Sequence, residues 1–178
     1  MRPDARHYTM IRQYFRGRRL LVTGGTGFVG QALIAKVLTT LGDEVECIYA
    51  LIRPRRRTDG QVVDPAQRLQ EVFEGSLFDP LRADPQQWER LQQKVVPIAI
   101  DERQADLGLA PEDRQRIVAE VDTIFNSAAT VVFDEPLNVS LQANIDGPMA
   151  LLELRRRVNA LCISFTSRRP MSMANAMV

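Results

Sequence analysis

The sequence has 178 residues, of which 45% are hydrophobic and 25% charged, and its formal net charge is +1. A chain of this length is sufficient for one domain with a sizeable core, and the composition is that of an ordinary soluble globular protein. The small net charge gives no global reason to expect a nucleic-acid partner, and no apolar run is long enough to span a membrane.

The two cysteines and the N-terminal segment carry little functional signal. Cys47 and Cys162 both lie in apolar runs, and their spacing suggests neither a disulfide framework nor a metal site. We expect core thiols in a reducing, cytoplasmic compartment. Residues 1–19 are basic but have no apolar signal core. They are expected to form a short lead-in helix over residues 8–15 that lies on the first strand, and a transit peptide is the alternative.

A strand, a tight turn and a helix are predicted around three glycines. The apolar residues 20–22 predict the strand, and residues 28–41 have apolar positions close to helical spacing. Between them, Gly24 allows a sharp turn out of the strand and Gly27 allows a pyrophosphate to approach the backbone. Gly30 allows the helix to pack close to the strand.

This glycine segment, with the spacing G-x-x-G-x-x-G, predicts a nucleotide site. The amide groups at the start of the helix point to the phosphates, and the helix dipole favours an anion there. A lone glycine motif is also compatible with an ordinary glycine-rich turn. The strand before it and the helix after it favour the nucleotide site.

An arginine cluster follows the second predicted strand. Residues 45–52 form a nearly continuous apolar run, as expected for a strand buried on both faces. In a dinucleotide-binding fold the end of this strand reaches the adenosine ribose, where an acidic residue selects NAD. Here Arg53 stands there, with three more arginines at 55–57, and a guanidinium suits a 2′-phosphate. The sequence therefore favours NADPH, with Arg53 as the phosphate contact; a solvated loop is the alternative reading of these arginines.

The rest of the chain alternates strands and helices. Further strands are predicted at residues 95–100, 121–125 and 161–165, and helices at 68–73, through Trp88 and Leu91, after Pro111, and at 137–158. This alternation predicts an α/β fold with a doubly wound, Rossmann-like parallel sheet, ordered 3-2-1-4-5 and truncated after about five strands. The ligand crevice then lies at the carboxyl ends of strands one and four.

Two further segments fall on that edge of the predicted sheet. Asp101 follows the third strand and would face the adenine, although a capping or turn role is an alternative. Residues 126–130 follow the fourth strand, and small side chains there would let a nicotinamide ribose lie against the backbone. A close-packed turn is the alternative for this second segment. The convergence on one edge is stronger evidence for a cofactor site than any single motif.

The sequence resembles the fatty acyl-CoA reductases, extended short-chain dehydrogenases with a male-sterility-type NAD(P)-binding domain. Residues 23–30, Thr-Gly-Gly-Thr-Gly-Phe-Val-Gly, are similar to the cofactor motif of the wider superfamily. Narrower similarity lies in residues 52–54, 76–79, 106–113 and 125–136. The last segment is the most specific, because general dehydrogenases lack its Phe-Asp-Glu-Pro continuation.

Family members use NADPH to reduce a fatty acyl thioester to an aldehyde and usually on to the alcohol. The resemblance implies a cofactor-binding set made of Thr23, Gly24, Gly27, Phe28, Val29, Gly30, Arg53, Asp101, Ala128 and Asn144. Of the Ser-Thr pair that follows strand five in the family, this chain has Thr166 and Ser167. A hydroxyl of that pair, here assigned to Ser167, polarises the substrate carbonyl. No metal site is implied.

The sequence departs from the family pattern most strongly after Ser167. The family continues into a helix with Tyr-x-x-x-Lys, whose tyrosine protonates the carbonyl oxygen and whose lysine lowers the pKa of that tyrosine. Residues 168–178 contain neither, and no lysine follows Lys94. Two smaller departures are Ile100, where the family usually has glycine, and Val132, where it often has arginine.

We therefore expect a lead-in helix at residues 1–19, an incomplete NAD(P)-binding domain at 20–167 and a divergent, disordered tail at 168–178. Three functions stay open: a fatty acyl-CoA reductase, a catalytically inactive NADP-binding module associated with a full-length reductase, and a thioester reductase for carrier-bound acyl groups.

The expected partner is a fatty acyl-CoA, and no nucleic-acid partner is expected. The parent protein is expected to be cytoplasmic, membrane-associated or organellar. The chain itself is expected to bind NADPH without turnover.

Overall fold

A five-stranded parallel sheet with helices on both faces forms the body of the computed structural model, which describes residues 5–101, 104–129, 136, 141–158 and 161–164. The sheet strands are β1 (Arg19–Thr23), β2 (Cys47–Ile52), β5 (Val95–Ala99), β6 (Thr123–Asn126) and β7 (Leu161–Ser164). Their spatial order is β5-β2-β1-β6-β7. This order confirms the predicted doubly wound fold, with the crossover between β1 and β6 at the centre of the sheet.

The helices alternate with these strands. They are α1 (Ala5–Phe15), α2 (Phe28–Leu41), α3 (Pro65–Phe73), α4 (Asp79–Arg82), α5 (Pro85–Gln92), α6 (Pro111–Glu120) and α7 (Gly147–Val158). Short 3-10 turns occupy Ser76–Phe78 and Ala105–Gly108, and a π-helical turn occupies Gln142–Asp146. As predicted, Asp64 caps α3 by accepting a hydrogen bond from the Gln67 amide, and Pro65 begins the helix.

The two faces of the sheet bury separate sets of side chains. Leu20 and Val22 of β1 pack with α2 and α3 on one face, whereas Leu21 packs with α6 and α7 on the other. Alternate residues of β2 divide in the same way, since successive side chains of a strand point to opposite faces. The central strands are therefore buried on both faces, which explains the nearly continuous apolar run that predicted β2.

Two local features differ from the sequence-based prediction. Residues 58–63, predicted as a polar loop, are mostly the turn of a short antiparallel hairpin between β3 (Arg55–Arg56) and β4 (Val62–Val63). The long helix predicted from residue 137 consists, in its described part, of the π-helical turn followed by α7. Pro148 is the second residue of α7, so the helix restarts there, as its lack of an N–H group allows.

Candidate cofactor site

The glycine segment forms a tight turn between β1 and α2. Gly24 has a φ angle of 66°, in the left-handed region that side chains disfavour. A Cβ atom on Gly24 would lie 2.8 Å from the Ala128 amide nitrogen, so this glycine also allows the turn to approach the segment after β6. A Cβ atom on Gly30 would lie 2.1 Å from the Gly24 carbonyl oxygen, so the first turn of α2 can pack on the turn only without a side chain there.

The N-terminus of α2 is built to receive an anion. Gly27 is the N-cap residue and has no side chain with which to cap the helix. The first N–H groups of the helix therefore point to the crevice at the carboxyl edge of the sheet, where the helix dipole is positive. A phosphate group fits such a site, and the role of the three glycines in holding a pyrophosphate stays a prediction.

A buried threonine joins the ends of β1 and β6 at the edge of the crevice. Thr23, the last residue of β1, is 3% exposed, and Asn126, the last residue of β6, is 5% exposed. Thr23 Oγ1 donates to Asn126 Oδ1 at 2.6 Å and accepts from the amides of Ser127 and Ala128 at 3.2 and 3.0 Å. Ser127 Oγ donates in turn to the Thr23 carbonyl at 2.5 Å. The Thr23 side chain thus holds the two strand ends together, and its predicted cofactor contact would have to come from its backbone.

The predicted arginine lies beside a second one that the sequence analysis did not single out. Arg53 follows β2 directly and is exposed. Arg68, on α3, donates from Nη1 to the Arg53 carbonyl at 2.5 Å and from Nη2 to Thr26 Oγ1 at 2.9 Å. Arg68 therefore connects the glycine segment to the loop after β2, at the position where a ribose phosphate is expected.

The positive charges at this position are close enough to affect one another. Partial burial lowers the pKa of Arg68, and the nearby guanidinium groups of Arg55 and Arg53 lower it further. Arginine keeps its charge at neutral pH in spite of such a shift. Glu71 binds Arg55 through both carboxylate oxygens, at 2.9 and 3.0 Å. The charges of Arg53, Arg55 and Arg68 thus lie close together around the loop that follows β2.

The other predicted cofactor residues lie around the same edge with different exposure. Phe28, the first residue of α2, is 91% exposed, and Val29 is half exposed.

Asp101 follows β5, and its carboxylate accepts a hydrogen bond from Gln104 Nε2 at 3.1 Å. This contact is of the kind expected for a turn, which was the alternative to a place beside the adenine. Asn144 lies in the exposed π-helical turn. Ala128 lines a small cavity with Thr23 and Asn126, below the predicted nicotinamide side.

Two predicted features lie outside the described residues. Thr166 and Ser167, the predicted carbonyl-polarising pair, are not among them, and of the Phe-Asp-Glu-Pro segment only Pro136 is. Within the described part of the chain, no group of three His, Cys, Asp or Glu side chains could hold a metal ion. The same residues include no helix that is long and apolar enough to cross a membrane.

Comparison with known proteins decides the family. A family model described as male sterility protein, an NAD-binding domain, matches residues 22–176. The chain belongs to the male sterility family of NAD-binding domains. Its resemblance to fatty acyl-CoA reductases is confirmed by curated relatives of that name. Fatty acyl-CoA reductase 1 of Rattus norvegicus and that of Homo sapiens are each 34% identical to it over 151 residues.

The male sterility domain corresponds to a limited part of these proteins. The aligned residues are 85% of this chain but 28% of each relative. Among solved structures, the terminal R domain from the myxalamid PKS-NRPS biosynthetic pathway superposes with a TM-score of 0.63 at 28% identity, over 84% of this chain and 34% of that one. These comparisons indicate that the male sterility domain binds a nicotinamide cofactor.

The position of Arg68 in the sequence already suggests that its side chain makes specific contacts. Pro65 begins α3, so Arg68 lies near the positive end of the helix dipole, where a cation is disfavoured. A basic residue in that place needs a compensating contact, and here it finds two oxygen acceptors. An arginine in the first turn of the helix that follows an arginine-rich loop could therefore have been singled out as a residue held by specific contacts.

Proposed function

We propose that this domain binds NADPH and serves the reduction of a fatty acyl-CoA to the fatty alcohol, by way of the aldehyde. The single observation that supports NADPH is the pair of contacts that Arg68 makes with the Arg53 carbonyl and with Thr26, by which the Arg68 guanidinium lies beside the turn proposed to receive the pyrophosphate. Guanidinium groups bind phosphate through charge-assisted, often bidentate hydrogen bonds. The names of the curated relatives support the acyl-CoA substrate.

In this proposal each part of the crevice has a separate role. When bound, NADPH supplies the hydride. The α2 N-terminus at Gly27 holds the pyrophosphate, and Arg53 and Arg68 hold the 2′-phosphate. Ala128, fixed by its hydrogen bond to Thr23, offers a small surface on the nicotinamide side. We assign Ser167, with Thr166 beside it, to the substrate carbonyl, where a hydroxyl donor stabilises the developing negative charge on oxygen.

Reduction of carrier-bound acyl groups is a second candidate, since the R domain of the myxalamid PKS-NRPS pathway is 28% identical to the chain. The two substrates differ in what carries the thioester, a free coenzyme or a carrier protein. The higher identity of the acyl-CoA reductases, 34%, favours the first candidate.

One assay separates these candidates from the inactive binding module. The chain is incubated with NADPH and either a long-chain acyl-CoA or the same acyl group on a carrier protein, and both cofactor oxidation and alcohol are measured. Alcohol formed from acyl-CoA supports the acyl-CoA substrate and contradicts the expectation that this chain does not turn over, whereas alcohol formed only from the carrier-bound group supports the second candidate. NADPH binding without oxidation of either kind supports the inactive module and confirms the expectation that this chain does not turn over.

The cofactor assignment is tested separately by titration. Arg53→Ala should weaken NADPH binding and leave NADH binding nearly unchanged, because NADH has no 2′-phosphate. Loss of one charge-assisted hydrogen bond, about 1.5–3 kcal/mol, corresponds to roughly a 10- to 100-fold change in the dissociation constant. Arg56→Ala is the matched control, since Arg56 is an exposed residue of β3. Equal effects of the two substitutions would contradict the assignment of Arg53.

A further inference from the structure

An ion pair joins Arg55 of β3 to Glu71 of α3. Arg55 Nη2 donates to both carboxylate oxygens of Glu71, at 2.9 and 3.0 Å. The two residues are 16 positions apart in the sequence, so the pair connects the short hairpin to the helix. Each side chain is about half exposed, 49% for Arg55 and 48% for Glu71. Dissolved anions can therefore reach the pair.

This ion pair lies one helical turn from Arg68. Glu71 follows Arg68 by three positions on α3, and residues with this spacing are neighbours on one side of a helix. Arg68 contacts the glycine turn through its hydrogen bond to Thr26. Partial burial lowers the pKa of Arg68 most, and the charge of Arg55 lowers it more than that of Arg53 does. The guanidinium groups of Arg55 and Arg68 are therefore near enough to act on the same small anion.

Carboxylate and phosphate groups compete for the donors of a guanidinium. Both bind it through charge-assisted hydrogen bonds of similar geometry. While Glu71 accepts from Arg55 Nη2, this donor is occupied and the charge of Arg55 is locally balanced. An exposed ion pair has only a small net free energy, so a phosphate bound beside Arg68 can displace the carboxylate. The affinity for that phosphate then includes the loss of the Arg55–Glu71 pair.

We propose that Glu71 is a specificity-determining residue of the cofactor site, which competes with the 2′-phosphate for Arg55 and so limits the preference for the phosphorylated cofactor. The inference rests on the proposed NADPH function and adds Arg55 to the phosphate contacts. In the domain without cofactor, Glu71 keeps Arg55 at the side of α3. When the cofactor binds, its 2′-phosphate takes the place of the Glu71 carboxylate on the Arg55 guanidinium.

Calorimetric titration of the full chain with adenosine 5′-monophosphate and adenosine 2′,5′-bisphosphate tests this competition. The readout is the dissociation constant of the monophosphate divided by that of the bisphosphate, because these ligands differ only in the 2′-phosphate. Glu71→Gln removes the competing charge and keeps nearly the same shape. This ratio should rise by roughly two- to fivefold, the range expected for an exposed ion pair. Arg55→Ala/Glu71→Gln should have the same ratio as Arg55→Ala, because Glu71 then has nothing to withhold.

A second pair of an arginine and a carboxylate in the same hairpin provides the matched control. Arg57 Nε and Asp59 Oδ2 lie 3.8 Å apart, and both side chains are exposed. Asp59→Asn makes the same change of charge as Glu71→Gln, at the turn of the hairpin instead of on α3. It keeps the oxygen that accepts from the Gln61 amide and should leave the ratio unchanged. Circular dichroism of every variant checks the fold.

Three results would overturn the competition while the wild-type ratio stays well above one. The first is an unchanged or lower ratio for Glu71→Gln. The second is a rise from Arg55→Ala to Arg55→Ala/Glu71→Gln as large as that from the wild type to Glu71→Gln, and the third is an equal rise for Asp59→Asn. The last two would mean that net charge alone has the effect. A ratio of one for the wild type and every variant would overturn the proposed NADPH site and this inference with it.

Discussion

Arg68 Nη2 donates a 2.9 Å hydrogen bond to Thr26 Oγ1, so a side chain of α3 reaches into the glycine turn. These two residues are 42 positions apart in the sequence and belong to different helix–strand units. The contact aligns the guanidinium with the N-terminus of α2, where the pyrophosphate is proposed to bind. It therefore connects the two phosphate-binding parts of the proposed NADPH site.

The first prediction concerns this pair. Arg68→Ala should raise the dissociation constant of NADPH by roughly 10- to 100-fold, since it removes a charge-assisted contact of about 1.5–3 kcal/mol, and should change that of NADH much less. Thr26→Ala should have a smaller effect in the same direction, because it only frees the guanidinium to move. Nicotinamide fluorescence titrations of the two single variants and the double variant measure the coupling. Additive effects in the double variant would show that Thr26 does not act through Arg68.

The buried Thr23 hydroxyl provides a second prediction, on stability. Thr23→Val removes the donor to Asn126 Oδ1 and the acceptor for two backbone amides while keeping nearly the same shape. Buried groups left without a partner cost about 1–3 kcal/mol, so the free energy of unfolding in urea should fall by at least that amount. Thr40→Val is the matched control, since the exposed Thr40 hydroxyl bonds only to the Lys36 carbonyl within α2. If the free energy of unfolding falls as little for Thr23→Val as for Thr40→Val, the Thr23 hydroxyl does not hold the two strand ends together.

A third prediction compares two glycines with the same backbone conformation. Gly24 and Gly17 have φ angles of 66° and 68°, but a Cβ atom on Gly17 has no neighbour within 4 Å. Gly17→Ala should therefore cost only the left-handed backbone strain, about 1–2 kcal/mol. Gly24→Ala should cost about 1–3 kcal/mol more, because its methyl group meets the backbone of Ala128. Urea unfolding of both variants measures the difference, and equal losses would mean that the turn does not need this close approach.

Tyr49 gives a prediction for alkaline pH. Burial raises its pKa well above the ordinary value, and its hydrogen bond to the Glu120 carboxylate raises it further. Above about pH 10 the unfolded chain loses the Tyr49 proton while the folded protein keeps it, so the free energy of unfolding decreases as the pH rises. The decrease contributed by one such group approaches about 1.4 kcal/mol per pH unit.

Urea unfolding at several pH values between neutral pH and about pH 11 measures this decrease in the free energy of unfolding. The decrease should begin near the ordinary tyrosine pKa of about 10. Tyr49→Phe should make the decrease shallower than in the wild type. Parallel curves for the wild type and Tyr49→Phe would show that the Tyr49 proton is not linked to folding.

Much of the fold could be predicted from the sequence because its signals are local. The run before Gly24 and the periodic apolar residues after it specify β1 and α2, and α2 has the predicted bounds. The Asp64–Pro65 pair specifies the start of α3 in the same way. The sheet order then follows from the alternation of strands and helices, since parallel strands need crossovers of one hand.

The parts of the candidate site that could not be predicted depend on contacts between residues far apart in the sequence, and no local sequence pattern indicates such contacts. The Arg68 side chain reaches Thr26 only after α3 has packed on the sheet, and Thr23 meets Asn126 across 103 residues of sequence. Arg53 could be proposed from the sequence, because the end of the second strand has a fixed place in a dinucleotide-binding fold, and its role stays a prediction. The short hairpin of β3 and β4 was missed because each strand has only two residues.

Calorimetric titration of the wild-type chain with adenosine 2′,5′-bisphosphate and with adenosine 5′-monophosphate tests the central claim most directly, since the two ligands differ only in the 2′-phosphate. If Arg53 and Arg68 bind that phosphate, the bisphosphate should bind at least about tenfold more tightly, as expected for one charge-assisted contact. Equal dissociation constants for the two ligands, or tighter binding of the monophosphate, would contradict the assignment of this crevice to NADPH.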